Sequence, residues 1–316
     1  MYRKKLGRSN LIVSEMCFGT LVMSPLQANL SLKEGRKLIE EAIDFGVNFF
    51  DTAQLYRTYD YFSELPPHKK NSIIIASKSY SFEFDSMIAD IEFGLRSIKR
   101  DYFDIFMLHE QDSALTLKGH KRALEAIIKA KEQGKVRSVG ISTHSVALVK
   151  NLILHPEFEV VQPIFNKEGI GYKDGTIEEQ ETAIKDLYEA GFGIYLMKPL
   201  GGGKLYNDFL SAINYARNFP FKHSVALGIK NRNELFVDVA IFNDEYEESL
   251  LKRLDLKEKK LFYRKDLCSF CYNCVNSCPF GALSISNSKE INIDYSKCSL
   301  CGYCISNCEN FALRIL

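Results

Sequence analysis

Eight of the nine cysteines of this 316-residue chain lie between residues 268 and 308, and their spacing repeats. The first run reads CSFCYNCVNSCP from Cys268, and the second reads CSLCGYCISNCE from Cys298. Clustered thiols in a reducing compartment favour metal ligation over a disulfide framework. A tail this short has little core of its own, so we expect it to depend on bound metal to fold.

The composition is that of an ordinary globular protein. Hydrophobic residues make up 46% of the chain and charged residues 26%, and the formal net charge is +1. This balance gives no indication of a nucleic-acid partner. The N-terminus lacks the apolar run of a signal peptide, and the sequence contains no run of eighteen apolar residues. We therefore predict a soluble, cytoplasmic protein that does not act at a membrane.

The distribution of cysteine predicts two domains. Before residue 260 the chain has one cysteine, Cys17, which we expect to be a buried apolar residue. The charged segment 243–260 is predicted to be a solvated helix that joins the domains, or else the last helix of the first domain. We place the first domain at residues 1–262 and the second at 263–316.

The first domain alternates short apolar runs with segments of helical period, as βαβ units do. Eight such units in about 240 residues predict an α/β fold of the TIM (β/α)8 barrel type. A doubly wound open sheet is the alternative, although CFGTLVMSP after the first strand lacks the glycine fingerprint of that fold. The eight apolar runs are residues 15–20, 47–53, 72–79, 103–110, 136–143, 159–166, 192–199 and 223–230.

Polar residues close three successive runs. Asp51, Lys78 and His109 end the second, third and fourth runs, and Tyr56 follows Asp51 in a loop. In a TIM barrel these positions lie at the catalytic, C-terminal face. Packing alone explains any one of them, but their joint occurrence favours an active site.

The motifs FFDTAQLY, ASKS, FMLHE, GIST and VQPIFN, in this order, resemble the aldo/keto reductase superfamily over about residues 1 to 240. The resemblance implies a TIM barrel and hydride transfer between a nicotinamide cofactor and a carbonyl or alcohol. It also implies a catalytic tetrad of Asp51, Tyr56, Lys78 and His109. Tyr56 would supply a proton, Lys78 and Asp51 would support it, and His109 would bind the substrate oxygen.

The same resemblance implies a set of cofactor contacts. NADP(H) is expected over NAD(H), because basic residues follow the last strand. Met197 takes the position of the aromatic residue that stacks on nicotinamide in the family, which leaves a flavin open as an alternative occupant. The expected contacts are Gly19, Thr20, Ser142, Gln162, Met197, Gly201, Gly202, Gly203, Gly228, Lys230 and Arg232.

The cysteine tail, C-x2-C-x2-C-x3-C-P and its near repeat, resembles a bacterial-type ferredoxin with two 4Fe-4S clusters. Zinc is the alternative, but its tetrahedral sites do not call for this spacing. The resemblance implies that the fourth cysteine of each run binds the other run's cluster. The expected ligand sets are Cys268, Cys271, Cys274 and Cys308 for one cluster, and Cys298, Cys301, Cys304 and Cys278 for the other.

Three functions follow from these features. The first is an NAD(P)(H)-dependent oxidoreductase acting on a small carbonyl or alcohol. The second is an electron-transfer enzyme that couples substrate oxidation to a ferredoxin-type protein partner through a flavin. The third is a redox sensor or binding protein with little turnover. Because a charged helix over 243–260, antiparallel to the last barrel helix, would return the chain to the catalytic end, we also expect the ferredoxin-like domain to fold back over the catalytic face.

Overall fold

A computed structural model describes residues 1–257, 259–310 and 312–315. Fourteen strands lie within these residues. They are β1 Arg3–Lys5, β2 Ile12–Ser14, β3 Met16–Gly19, β4 Phe49–Asp51, β5 Ile74–Ser79, β6 Phe103–Gln111, β7 Val136–Thr143, β8 Val160–Pro163, β9 Gly193–Met197, β10 Ser224–Gly228, β11 Leu261–Tyr263, β12 Leu283–Ile285, β13 Ile291–Ile293 and β14 Leu313–Ile315.

Strands β3 to β10 close into one parallel barrel in the order β10-β3-β4-β5-β6-β7-β8-β9. Each of these strands falls inside one of the eight predicted runs, except that β6 extends one residue further, to Gln111. The TIM barrel is therefore confirmed, and the open doubly wound sheet is excluded by the pairing of β10 with β3. All these strands run parallel, so their carboxyl ends meet at one face.

Helices cover the outside of the barrel, and their ends follow the chain's capping signals. Ser31 and Thr176 each form a capping box with the glutamate three residues later, which fixes the starts of α1 and α8. The α-helices of the described residues are α1 Leu32–Asp44, α2 Asp60–Ser63, α3 Pro67–Asn71, α4 Phe84–Ile98, α5 Ala114–Gly119, α6 Lys121–Glu132, α7 Val146–Asn151, α8 Ile177–Glu189, α9 Phe209–Asn218, α10 Arg232–Phe242, α11 Asn273–Asn276 and α12 Tyr303–Ser306. None of them combines the length and the apolar character that a membrane crossing requires.

The barrel has a packed interior. Leu6 and Val13, from the N-terminal hairpin of β1 and β2, are fully buried in one cluster with Cys17, Phe49 and barrel residues beyond them. The hairpin thus closes the barrel at the end opposite the catalytic face. Cys17 is 0% exposed, as its predicted role as an apolar residue requires.

The predicted helix over 243–260 is wrong. The described part of this segment contains one short 3-10 helix, Glu248–Arg253, and its leucines pack against the barrel core. Leu250, Leu251 and Leu254 have helical spacing in the sequence, but their contacts with the barrel core accompany an irregular path of the chain.

The C-terminal domain is small and nearly symmetric. Strands β11 and β14 pair antiparallel, as do β12 and β13, and α11 and α12 each follow the second cysteine of a run. The predicted boundary between residues 262 and 263 falls inside β11, and the division of the chain at this point stays a prediction.

The C-terminal domain lies on the catalytic face of the barrel. The Tyr303 hydroxyl donates to the Glu110 carboxylate at 2.8 Å, and the Phe280 ring lies 5.4 Å from that of His144, centroid to centroid. Lys204 donates to the Tyr295 carbonyl oxygen at 2.7 Å. The expected docking face is therefore confirmed, although the described residues of 243–260 do not form the helix from which we expected it.

Gly202 offers a test of this docking. Its φ is +74°, and a Cβ there would lie 2.3 Å from the Ser299 carbonyl oxygen of the C-terminal domain. Gly134 has a similar φ of +77° with nothing within 4 Å of such a Cβ, so it is a matched control. Both alanine variants carry the strain of a positive φ, of about 1–2 kcal/mol. We expect Gly202→Ala to lose about 1–3 kcal/mol more, from the clash alone.

The measurement is thermal unfolding of the Gly202→Ala and Gly134→Ala variants, each prepared anaerobically as the holoprotein. Equal losses of stability in Gly202→Ala and Gly134→Ala would contradict the docking of the C-terminal domain on this loop.

Candidate active site and cluster sites

The structure brings the four predicted catalytic side chains together at the mouth of the barrel. Asp51, Lys78 and His109 lie on β4, β5 and β6, and Tyr56 ends a 3-10 helix directly after β4. All four are at least 94% buried. Neighbouring parallel strands place successive carboxyl ends side by side, which is why residues far apart in sequence meet here.

Asp51 is the centre of this group. Its two carboxylate oxygens each accept a hydrogen bond of 2.7 Å from Lys78 Nζ, which also donates to the Thr52 carbonyl oxygen at 3.0 Å. Asp51 Oδ2 accepts two more, from Gln162 Nε2 at 3.0 Å and from the Tyr195 hydroxyl at 2.9 Å. These bonds compensate the carboxylate and the ammonium for the water that both lose on burial.

Tyr56 lies close to this ion pair. Lys78 Nζ lies 5.1 Å from the centroid of its ring. Burial, followed by the charges of Asp51, Glu110 and Cys301, raises the pKa of Tyr56 well above its ordinary value. Pairing with Asp51 reduces the effect of the Lys78 charge on Tyr56, so burial dominates the pKa of the tyrosine. The Tyr56 hydroxyl therefore keeps its proton at neutral pH.

His109 completes the group. Burial, and next the charge of Lys78, lowers the pKa of His109 well below its ordinary value, so the ring is neutral. Its centroid lies 5.7 Å from that of Tyr56 and 4.1 Å from that of Tyr80, on which it stacks. His109 Nδ1 is buried with no hydrogen-bond partner among the described residues. A buried nitrogen in this state is a candidate for hydrogen bonding to a ligand.

A cavity of about 780 Å³ opens beside Asp51 and Tyr56. Gln162 Oε1 is buried without a partner in the described structure, which leaves an acceptor for a ligand amide. The glycine-lined edge and this acceptor fit a nicotinamide nucleotide. Of the predicted cofactor contacts, the cavity wall contains Gly19, Gln162, Met197, Gly202, Gly203 and Gly228.

The other predicted contacts lie outside the wall of this cavity. Thr20 is buried against Asp51 and Thr58, Ser142 accepts from the Glu110 backbone amide at 2.8 Å, and Gly201 is buried below its neighbours. Lys230 and Arg232 lie at an adjoining surface cavity, where Arg232 pairs with Glu41 at 3.1 Å. Their roles in cofactor binding stay predictions.

Lys198, Tyr206, Lys259 and Leu300 are among the residues of the cavity wall that the sequence analysis missed. Lys198 and Tyr206 follow β9, Lys259 comes from the segment that joins the domains, and Leu300 comes from the second cysteine run. The strand pattern gives a signal for Lys198, which directly follows Met197. Lys259 and Leu300 carry no such signal, because only the docking of the C-terminal domain brings them to the barrel.

The eight clustered cysteines line two separate cavities. One cavity, of about 350 Å³, is bounded by Cys268, Cys271, Cys274 and Cys308. The other, of about 340 Å³, is bounded by Cys278, Cys298, Cys301 and Cys304. We call them the outer and the inner cysteine cavity. Each takes three cysteines from one run and the last cysteine from the other, which is the arrangement that the ferredoxin resemblance implies.

The sulfur environment fits iron–sulfur clusters. The backbone amides of Ala282 and Ala312 donate to the sulfurs of Cys278 and Cys308 at 3.3 and 3.2 Å, as hydrogen bonds to cluster thiolates do. Within residues 1–257, 259–310 and 312–315, no group of His, Cys, Asp or Glu side chains is arranged to hold a single metal ion. Four thiols around each cavity suit a larger, multi-iron group.

The two cysteine cavities differ in exposure. Cys298, Cys301 and Cys304 of the inner cavity are 8–9% exposed, whereas Cys271 of the outer cavity is exposed. Leu300 lines both the inner cysteine cavity and the barrel cavity. The inner cavity therefore adjoins the barrel site, and the outer cavity adjoins solvent.

The barrel carries this tetrad at its mouth, and a cysteine-rich domain lies across it. This combination defines an oxidoreductase fused to an iron–sulfur domain. The profile of the aldo/keto reductase family matches residues 15–255, and that of the 4Fe-4S dicluster domain matches residues 260–309. The chain belongs to the aldo/keto reductase family and carries a C-terminal 4Fe-4S dicluster domain.

Two curated relatives match this chain at low sequence identity. An uncharacterised oxidoreductase of Bacillus subtilis is 27% identical over 168 residues, covering 48% of this chain and 52% of its own length. A probable aldo-keto reductase of Glycine max is 27% identical over 245 residues, covering 70% of this chain and 64% of its own. The chain thus spans about half to two thirds of these relatives.

Among solved structures, a putative aldo-keto reductase from Pseudomonas aeruginosa superposes with a TM-score of 0.66 at 18% identity. The superposition covers 78% of this chain and 96% of that protein, so the two share the barrel fold.

Crossed ligation can be tested by pairs of cysteine variants. Cys308→Ser should cost about four of about eight irons, because it removes a ligand of the outer cluster. Adding Cys271→Ser should cost little more iron, whereas adding Cys301→Ser should remove both clusters. Iron and sulfide content of anaerobically purified protein is the measurement. If Cys308→Ser combined with Cys301→Ser lost only one cluster, Cys308 would belong to its own run's cluster.

Proposed function

We propose that this protein is an NAD(P)(H)-dependent oxidoreductase that interconverts a small carbonyl compound and its alcohol. The observation that carries the proposal is that Asp51, Tyr56 and Gln162 line one cavity, with Lys78 paired to Asp51 directly behind it. The unpartnered atoms Gln162 Oε1 and His109 Nδ1 support a site built for a bound ligand.

Each residue has a distinct role in this proposal. The bound nicotinamide supplies or accepts the hydride. Tyr56, protonated at neutral pH, donates a proton to the substrate oxygen during reduction. His109, held neutral by burial, donates a hydrogen bond to the same oxygen. Lys78 provides positive charge beside the tyrosine as negative charge develops there, and Asp51 fixes the ammonium.

Two lysines favour NADP(H) over NAD(H). Lys259 lines the barrel cavity, and burial followed by the charge of Lys230 lowers the pKa of Lys259. Lys230 pairs with Glu234 at 3.8 Å, and an anionic ligand such as a nucleotide phosphate would add a second partner for these two ammonium groups. With the predicted Arg232 nearby, this end of the cavity suits the 2′-phosphate of NADP(H).

Reaction in the cytoplasm remains our expectation.

Replacing Tyr56 tests the proposed acid. Tyr56→Phe should lower kcat by about 10²–10⁴-fold, because the proton donor is lost while the ring remains. NADPH affinity should change little, since the hydroxyl serves the chemical step. Tyr59→Phe is the matched control, because the Tyr59 hydroxyl is equally buried but bonds to Ser77 Oγ at 2.6 Å.

The measurement is steady-state NADPH oxidation with a set of small aldehydes and ketones, together with NADPH titration by fluorescence. Near wild-type turnover in Tyr56→Phe would show that another group supplies the proton.

We infer a second candidate function from the shared wall of two cavities. Leu300 lines both the barrel cavity and the inner cysteine cavity, so a redox group in one would be a neighbour of a group in the other. A flavin held by the residues of the barrel cavity would supply the conversion between two-electron chemistry on an alcohol and one-electron transfer to the clusters. The exposed outer cavity would then face a ferredoxin-type partner that accepts those electrons.

An anaerobic cofactor inventory decides between the two candidates. Acid release of stoichiometric flavin would favour the electron-transfer enzyme. Nucleotide binding with no flavin would favour the nicotinamide-dependent reductase, and rule out the flavin route.

A further inference from the structure

A carboxylate and two tyrosine hydroxyls join the two domains beside the active site. The Glu110 carboxylate accepts hydrogen bonds from Tyr80 of the barrel and from Tyr303 of the iron–sulfur domain, the latter at 2.8 Å. The two hydroxyls also lie 2.6 Å apart. Three polar groups from both domains thus form one buried cluster, which we call the interdomain cluster.

Glu110 ties the interdomain cluster to the catalytic strand. It directly follows His109 in β6, and its side chain is 6% exposed. Its φ of +48° is unfavourable for a residue with a Cβ, and its backbone amide donates to Ser142 Oγ at 2.8 Å. A buried carboxylate in a strained backbone needs such partners to remain in place.

Tyr80 connects the same cluster to the catalytic imidazole. Its ring stacks on His109 with centroids 4.1 Å apart and planes 26° apart. The hydrogen bond from the Tyr80 hydroxyl to Glu110 fixes the far end of that ring. Movement of Glu110 would therefore shift His109 by two routes, through the backbone and through the stacked tyrosine.

The internal repeat of the iron–sulfur domain shows that its barrel-facing half is specialised. Counting from the first cysteine of each run, Tyr303 corresponds to Asn273, and Leu300 corresponds to Phe270. Leu300 is 4% exposed at the barrel, whereas Phe270 is 39% exposed. The residue types of the two halves therefore differ at positions where only the second half contacts the barrel.

We propose that the iron–sulfur domain completes the active site, with Tyr303 as a positioning residue that holds His109 through Glu110 and Tyr80. This inference rests on the proposed reduction at Tyr56 and His109. Tyr303 lies between the cluster ligands Cys301 and Cys304, so a loaded inner cluster fixes its place. Activity would then depend on the clusters even where they transfer no electron.

Tyr303→Phe tests the proposal because it keeps the ring and removes the hydroxyl. Tyr272→Phe is the matched control, since the Tyr272 hydroxyl bonds to the Lys289 carbonyl oxygen at 2.9 Å beside the outer cysteine cavity. With NADPH and 4-nitrobenzaldehyde as probes, Tyr303→Phe should lower kcat on the order of tenfold or more through misplacement of His109. NADPH affinity should not change, and Tyr272→Phe should resemble the wild type.

Two further measurements separate positioning from misfolding. Iron content of Tyr303→Phe must equal that of the wild type, and Glu110→Gln, which leaves the iron–sulfur domain untouched, should give a similar loss of kcat. The double variant should lose little more than either single variant, because both break the same path. Additive losses, or an unchanged kcat in Tyr303→Phe with full iron, would overturn the proposal.

Crystal structures of the wild-type and Tyr303→Phe holoproteins distinguish failure of this inference from failure of the proposed reaction. Displacement of the His109 ring from Tyr80 in Tyr303→Phe would support positioning even if the wild type did not reduce the aldehyde. An unmoved ring would overturn positioning even if the wild type were an active reductase.

Discussion

The buried ion pair between Asp51 and Lys78 is the constraint on which the rest of the site depends. Removing one partner of such a pair typically costs about 3–5 kcal/mol, because the other charge is left uncompensated. The Asp51 carboxylate is compensated by hydrogen bonds from Lys78, Gln162 and Tyr195, which lie on three different strands. The ion pair therefore fixes the inside of the barrel mouth, and it neutralises the lysine that lies beside Tyr56.

The electrostatic state of the site follows from that neutralisation. Tyr56 and His109 are both buried, and with Lys78 paired, burial dominates their titration. The pKa of Tyr56 rises and that of His109 falls, so one keeps its proton and the other remains uncharged near neutrality. This state suits carbonyl reduction, in which the protein must donate a proton. Alcohol oxidation requires the tyrosinate, so its rate should increase with pH.

The sequence was informative where local patterns determine structure. Alternating apolar runs predicted the eight barrel strands, and the capping boxes of Ser31 and Thr176 show that helix starts also follow from local sequence. The cysteine spacing likewise predicted two groups of four. Residues that depend on the contact between domains had no local pattern. Leu300 and Tyr303 read as ordinary residues of a cysteine run, and the charged segment before them read as a helix.

The placement of the iron–sulfur domain gives it a direct relation to the active site. Leu300 lines the barrel cavity, Tyr303 reaches Glu110, and Phe280 lies against His144, so this domain covers the mouth of the barrel. Lys198 lies at the same junction, with its ammonium 5.7 Å from the Phe280 ring centroid. A redox group in the barrel would therefore share one wall with the inner cysteine cavity.

A crystal structure of the anaerobic holoprotein grown with NADPH tests this account most directly. The account predicts the nicotinamide in the barrel cavity, with its carboxamide at Gln162 and Leu300 of the iron–sulfur domain forming part of the wall. A nucleotide bound elsewhere, or an iron–sulfur domain displaced from the barrel mouth when the nucleotide is bound, would contradict it.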